Sequence, residues 1–563
     1  VVAKGIVDHW ARHGRADFYT PYVHQLLAWS MRGLGLAMLM LGLACRGLIA
    51  RGLYALWRDS RTLLSAVGTA LHSACRERLF IWTLVAFLLI GAAIRISFLF
   101  EPMSYDESAT FVLHIDKPLR FALANYRHPG NHLLNTILAH VSVGIFGKGP
   151  WAIRLPALLA GICLIGLLYF VARRVRGPGA ALIGAAVAAG SGCLVYYSTR
   201  GRGYILGALL FLGQLWLAEY ARRHDNRAAW LLFAVAGALS MFTVPTMLYG
   251  VGIIYTYLVL CVIAGCGSGA RGLMAVRMGW SAMVMAALTL LLYAPPLLVN
   301  GLREMTSNPV YQRLPLARFA KELWATLPGV WQLWHRDVPL VVQGVLLVGF
   351  LVSMFEPGES ARARRLLVGG VPMFLVPVLL LHRVVPFPRV WLFLWPLYSA
   401  CGAAGLSWGL EAVARRHAPT AVAAVASLLL VANSLTVLGA RTRHANDYAH
   451  FHDGKEMAAF LAEQLAPGDK LLSPAPASMP LRYHFSRLGV DEGPMFRPMH
   501  QTERLWVVLN HPTSGPVESL ADVLRNGRVP NEEFGEPVLI HRFPYASLYQ
   551  MRRLPAERGH HRQ

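Results

Sequence analysis

Acidic residues are scarce in this sequence: 30 Asp and Glu stand against 53 Lys and Arg in 563 residues, and charged residues of both signs make up only 15%. With 55% hydrophobic residues and a mean hydropathy of +0.44, such a chain cannot be a water-soluble globule of ordinary surface and reads as a polytopic membrane protein. Cysteine is scarce too. Positions 45, 75, 163, 193, 261, 266 and 401 lie in or beside apolar runs and none follows residue 440. That argues against a disulfide framework, and no Cys-x-x-Cys spacing offers a metal site. The apolar runs themselves lack Asp and Glu: Glu219 and Glu411 lie at their ends, and Arg95 is the one conspicuous internal charge. Ion-coupled transporters place carboxylates or His near the midplane, so this absence weighs against a transporter or flippase, the main rival reading. The formal charge of +23 sits in short clusters between apolar runs. It therefore marks topology and not nucleic-acid binding.

Eleven apolar runs are present, near 79–100, 151–172, 178–197, 205–220, 229–244, 246–266, 278–299, 338–355, 366–382, 390–410 and 419–440. Each is roughly 16 to 22 residues, near the length that crosses a ~30 Å hydrocarbon core. Alternating their sides puts the basic clusters at 76–78, 172–177, 221–227, 271–277, 361–365 and 414–417 on one face, which the positive-inside rule makes cytoplasmic. The loops at 101–150, 198–204, 300–337 and 383–389, and everything after 440, fall on the other face. In a bacterial cell this is the periplasmic or outer side of the inner membrane.

Residues 1–76 form an N-terminal extension, whose run LLAWSMRGLGLAMLMLGLACRGLIA is interrupted by Arg32 and Arg46; it is a peripheral helix or an extra span. No short apolar core with a small-residue cleavage site opens the sequence, so the first span of the 77–440 domain is expected to act as signal anchor. Residues 441–563 change texture, with a helical pattern at DGKEMAAFLAEQL and strand-like runs DKLLSPA, RLWVVLNH and PVLIHRF. They read as a small extracytoplasmic α/β domain, with Asp453 and Glu456 spaced as a capping box. The fold class is thus an all-α membrane domain with this appendage.

The first outer loop carries most of the information. ISFLFEPMSYDESATF, residues 96–111, leaves the first span and at once delivers Asp106 and Glu107. Two helical stretches follow, at 118–125 and 131–147, the second with an apolar stripe at Leu133, Leu134, Ile137, Leu138, Val141 and Ile145; they are expected to lie along the outer interface over the carboxylates. Two acids just past a span are either a water-boundary marker or chemistry.

YDE after the first span, RHPGNHLL, GPWAIRLPALLAG, YYSTRGRGY and PFPRVWLFLWP occur in that order, and together they resemble the GT-C membrane glycosyltransferases. The similarity is greatest to the branch containing protein O-mannosyltransferases and lipid A aminoarabinose transferases. It covers about residues 77–440. Such enzymes take a sugar from a polyprenyl phosphate carrier and pass it, on the outer face, to a glycan, lipid or protein acceptor. That reaction needs a carboxylate to accept a proton and cations to hold the departing phosphate. Asp106 is the expected general base of an inverting transfer, and Glu107 its neighbour for acceptor positioning or metal binding; repulsion between the two is expected to raise one pKa. Tyr105 stands beside them. Arg127, Arg200, Arg202, Arg383 and Arg389 recur on the outer face, where Arg forks suit phosphate oxygens or anchor headgroups. The resemblance selects Arg202 with Tyr204, then Arg389, as phosphate or sugar contacts; at Arg200 relatives often carry an acid, which weakens any metal role there. His128 and His132 flank the PGN turn, where the resemblance implies a basic or metal-binding role, and Glu107 with His128 is a candidate pair for a divalent ion. The alternative for both His is ordinary hydrogen bonding.

Overall fold

The structure, a computed structural model, describes residues 46–126, 130–266, 271–306, 312–440, 451–511, 519–530 and 532–555, together with residues 29, 32, 36 and 40. Helices stand over each of the eleven apolar runs: Arg78–Phe98, Pro150–Arg176, Pro178–Gly190 with Gly192–Ser198, Tyr204–His224, Arg227–Thr243, Leu248–Ile263, Arg271–Thr306, Leu340–Phe355, Glu359–His382, Trp395–Ala414 and Ala418–Gly439. Seven stretches are long and apolar enough to cross a membrane, or eight if the bent pair is one span. Arg227–Thr243 and Leu340–Phe355 are shorter, and Pro388–Gly439 runs on as one helical stretch, interrupted where Arg415 takes a φ of 45°.

The run expected as a straight helix at 178–197 instead bends by 60° between Gly190 and Gly192. Ser191 is extended and its hydroxyl accepts the Leu194 N–H, so a second helix begins there. The break frees carbonyls in the bundle interior, and Arg95 meets them: its guanidinium, fully buried, donates to the oxygens of Ala188 and Ala189, to Gly91 and to Ser198 Oγ. The internal charge noted in the sequence therefore closes a helix break.

One end of the bundle is knit by arginines to acids. Arg173 bridges Glu77 at 2.9 Å, Arg176 bridges Glu356 at 2.6 Å and Glu411 at 2.7 Å, and Arg222 and Arg223 share Glu219 at 2.6 Å. Across this end lies the helix Arg46–Arg76. Asp59 on it accepts the Arg227 N–H, and Glu77 just beyond it holds Arg173. Asp59, near the middle of the helix, and Glu77, just past its C-terminus, thus touch the same end of the bundle, so its C-terminal half lies across that end. Expectations for residues 1–45 fall outside the described residues, the four isolated positions aside.

The segment after residue 450 forms a four-stranded sheet of β1 (Asp469–Leu472), β2 (Arg504–Asn510), β3 (Val538–Arg542) and β4 (Ala546–Arg552), in the order β1-β2-β4-β3. β1 and β2 are parallel and the other pairs antiparallel. The expected capping box does not form: the Asp453 side chain accepts the Tyr545 N–H at 2.7 Å instead of closing its own helix, Gly454–Gln464. The hairpin turn competes for the same carboxylate. Helix Ser478–Leu488 docks this domain on the segment that carries Asp106. Tyr483, fully buried, packs edge-on against Phe111 at 5.1 Å, and its hydroxyl donates to the Lys148 carbonyl. Ser486 donates to Asp116, which also bridges Lys148 at 2.7 Å.

Candidate active site

The chain leaves its first span at Phe98 and turns into a short helix, Tyr105–Thr110, which widens into a π-helical turn over Phe111–Ile115. Its start is set by a Ser-x-x-Glu capping box: Ser104 Oγ accepts the Glu107 N–H while the Glu107 carboxylate accepts the Ser104 N–H. This orientation turns the adjacent carboxylates apart. Glu107 points inward and is fully buried, whereas the Asp106 side chain is 50% exposed.

Glu107 is saturated. Its oxygens accept from Arg154 Nε and Nη2, both at 2.9 Å, from the Gly201 N–H at 2.7 Å, and from Ser104. Arg154 in turn spends every N–H: besides Glu107 it donates to the carbonyls of Leu99, Glu101 and Pro102. Arg200 is buried beside them, 3.1 Å from Glu101 and 3.7 Å from Glu107. Burial alone would raise the Glu107 pKa, but Arg154, Arg200 and the Gly201 N–H together hold the carboxyl well below the usual range. The expected repulsion between the two carboxylates is therefore overruled by cations around one of them. The Glu107 oxygens are thus fully engaged by donors, and Arg200 faces two acids while its Nε and Nη1 are buried without a hydrogen-bond partner among the described residues.

His128 and Arg127 lie outside the described residues. Among the described residues no group of three or more His, Cys, Asp or Glu is arranged to hold a metal. Glu107 is closed by its own contacts, and its expected partner for a divalent ion, His128, lies outside the described residues.

The turn 199–203 is pinned at three points, by Glu107 on the Gly201 N–H, by Asn135 Nδ2 on the Gly201 carbonyl and by His132 Nδ1 on the Gly203 N–H at 2.7 Å. Glycine is required at both positions: a Cβ at Gly201 would stand 2.9 Å from Ile153 Cγ2, and one at Gly203 would stand 2.7 Å from Thr243 Cγ2. His132 is buried, and burial together with Arg202 and Arg389 keeps its pKa well below the ordinary value. It is a neutral acceptor that fixes the turn, not the basic or metal-binding group expected.

Pinned this way, the turn sends Arg200 toward Glu101 and Arg202 toward Asp106 and Thr110, both side chains buried. Arg202 Nη1 donates to Thr110 Oγ1 at 3.1 Å, and Nη2 stands 3.7 Å from Asp106. From the far side of the bundle Arg389 reaches the same carboxylate oxygen at 3.7 Å. Tyr204 lies between the two guanidiniums, its ring centre 5.9 Å from each. Nε of both arginines is buried without a hydrogen-bond partner among the described residues. Tyr105 is half-buried on the Asp106 helix. The structure thus brings Asp106, Arg202, Tyr204 and Arg389 together from segments far apart in the chain. It removes Glu107, Arg200 and His132 to a supporting layer, and adds Ser104, Glu101, Thr110 and Arg154 to those seen in the sequence.

The family model for dolichyl-phosphate-mannose-protein mannosyltransferase matches residues 128–299. This range contains the 199–203 turn but neither Asp106 nor Arg389. Comparison with curated protein sequences finds no match. Among solved structures, ArnT from Cupriavidus metallidurans in the apo state superposes with a TM-score of 0.56 over 83% of this chain and 97% of that one, at 13% identity. The chain has the GT-C fold. The same ArnT bound to undecaprenyl phosphate gives a TM-score of 0.54 at 13% identity, again over 83% and 97% of the two chains. The resemblance read from the motifs holds at the level of the GT-C fold, and that fold brings the loop after the first span, the 199–203 turn and the 388–394 segment to one place.

Proposed function

We propose that this chain is an inverting glycosyltransferase that uses a polyprenyl-phosphate-linked sugar, with eleven crossings and its active site on the outer face of a bacterial inner membrane. The observation that carries the reading is the exposed carboxylate of Asp106 held between two guanidiniums that each retain an unpartnered N–H. Two cations against one acid leave a single positive charge, which matches the single negative charge of a sugar–lipid phosphodiester. The mannosyltransferase family match and the undecaprenyl phosphate bound by ArnT support that donor class.

In the chain alone Asp106 fills the place between Arg202 and Arg389 that a donor phosphate suits. Donor binding exchanges carboxylate for phosphate there and frees Asp106 to face the acceptor. An acceptor hydroxyl or amine then attacks the anomeric carbon, forming the new glycosidic bond as the carbon–oxygen bond to phosphate breaks with inversion. The acceptor proton passes to Asp106. The released lipid phosphate monoester carries up to two negative charges, and the two arginines, no longer opposed by an ionised Asp106, balance it. Arg forks provide bidentate geometry for this leaving group. Lipid mass spectrometry of membranes with and without the protein tests the reading. A polyprenyl-phosphate sugar should accumulate when the protein is absent; unchanged glycolipids in cells shown to express it would reject the donor class.

A further inference from the structure

A second site lies at the opposite, arginine-knit end of the bundle. The crosswise helix Arg46–Arg76 does not seat flush on the helices beneath it. Between them is a cavity of about 360 Å³, walled by Val67, Ala70 and Leu71 from above and by Leu167, Phe170 and Trp216 from below. That is within the size range of ligand pockets. Arg173 and Arg174 stand on its wall.

The two arginines differ. Arg173 is consumed by a two-pronged bridge to Glu77 and a bond to Ser73. Arg174 has no ion pair among the described residues and lies over the rings of Trp216, at 5.5 Å, and Tyr220, at 5.4 Å. The nearby acids are already claimed: Glu219 serves Arg222, Arg223 and the Tyr257 hydroxyl. With Arg173 paired to Glu77, Arg174 is the wall cation left without an ion pair among the described residues, one positive charge beside an apolar chamber. Arg174 and Trp216 also wall a neighbouring cavity of about 70 Å³ that includes Arg364, whose Nε and Nη1 are buried without a partner among the described residues.

A helix lying across the bundle's end with exposed Trp57, Leu64 and Leu71 is in the position of an interfacial amphipathic helix, so this chamber sits at headgroup depth. We infer that it binds one anionic phospholipid, with the phosphate on Arg174 and an acyl chain along Ala70, Leu167 and Phe170. The excess positive charge selects an anionic headgroup, and the apolar walls select a lipid over a free anion. The bound lipid cements the crosswise helix to the bundle, apart from the transfer site.

The full chain, purified in detergent and stripped of lipid, is titrated with phosphatidylglycerol, phosphatidylcholine or inorganic phosphate, and adducts are counted by native mass spectrometry. One phosphatidylglycerol should persist. Arg174→Gln should weaken it about tenfold, the loss of one charge-assisted contact, and Ala70→Trp should displace it by filling the chamber. Arg58→Gln, on an exposed part of the same helix, should leave it unchanged. Val67→Trp fills the same space from a position 36% exposed, should Ala70→Trp fail to fold. Equal retention of phosphatidylcholine, retention unaffected by Arg174→Gln or by both filling variants, or inorganic phosphate binding as well as the lipid would overturn the assignment.

Discussion

Glu107→Gln separates support from chemistry at two adjacent carboxylates. The substitution keeps shape but leaves Arg154, fully buried, without the oxygen charges it meets at 2.9 Å. Removing one partner of a buried pair costs about 3–5 kcal/mol, because the remaining charge stays desolvated. Heating the purified variant and measuring the surviving monodisperse fraction should show that loss, and transfer should fall in proportion to folded protein. A Glu107→Gln/Arg154→Met double variant should recover only part, since Arg154 also ties three carbonyls of the 99–102 turn. The pH dependence gives an independent check. The folded carboxyl is held below its ordinary value of 4.5, so on acidification the unfolded chain takes up its proton first. The stabilisation is complete above about 4.5 and is lost as pH falls through the folded value. Wild type should lose stability on the acid side more steeply than Glu107→Gln. A Gln variant as stable as wild type but inactive would refute the supporting role and restore a direct one.

The remaining expectations concern the anion site, the topology and the helix break. Arg202→Lys and Arg389→Lys keep charge but not the fork, so each should weaken binding of a polyprenyl-phosphate donor about tenfold or more; unchanged affinity in both would make them headgroup anchors. Reporter fusions at residues 225 and 363 should read cytoplasmic and those at 320 and 500 external, and a cytoplasmic residue 500 would break the odd number of crossings. Arg95→Leu strips the carbonyls of Ala188 and Ala189 of their donor, at about 1–3 kcal/mol for each buried group left unpaired. It should lower thermal stability without changing donor affinity; wild-type stability would show the break closes by other means.

Much of this architecture could be read in the sequence, because apolar length and charge clustering are one-dimensional signals. Helices stand over all eleven runs, and three of four strands after residue 450 coincide with the apolar stretches noted. β4, ASLYQMR, interleaves apolar and polar residues as a half-buried strand does, and lies outside those three stretches. The bend at Ser191 is also hidden, for it depends on Arg95 arriving from another helix to satisfy the freed carbonyls. At the site, Asp106, Arg202, Tyr204 and Arg389 were legible as motif residues, but the division of labour was not. Ser104 and Glu107 carry a local signal, Ser-x-x-Glu, that marks Glu107 as a capping residue. Arg154 lies in GPWAIRLPALLAG and Glu101 in ISFLFEPMSYDESATF, yet their partners are 47 and 99 residues away. Such pairing is a property of the packed bundle.

The central claim is that Asp106 accepts the acceptor's proton between two phosphate-holding arginines. Its most direct test is transfer by purified Asp106→Asn protein under saturating polyprenyl-phosphate sugar, with donor binding measured in the same preparation. Asn preserves size and hydrogen bonding, and the carboxylate it replaces is half exposed, so the variant should fold and bind donor. Turnover should fall ~10²- to 10⁴-fold, the usual worth of general-base assistance. Near wild-type turnover with saturated donor would remove Asp106 as the base and leave it a mere counter-ion to Arg202 and Arg389.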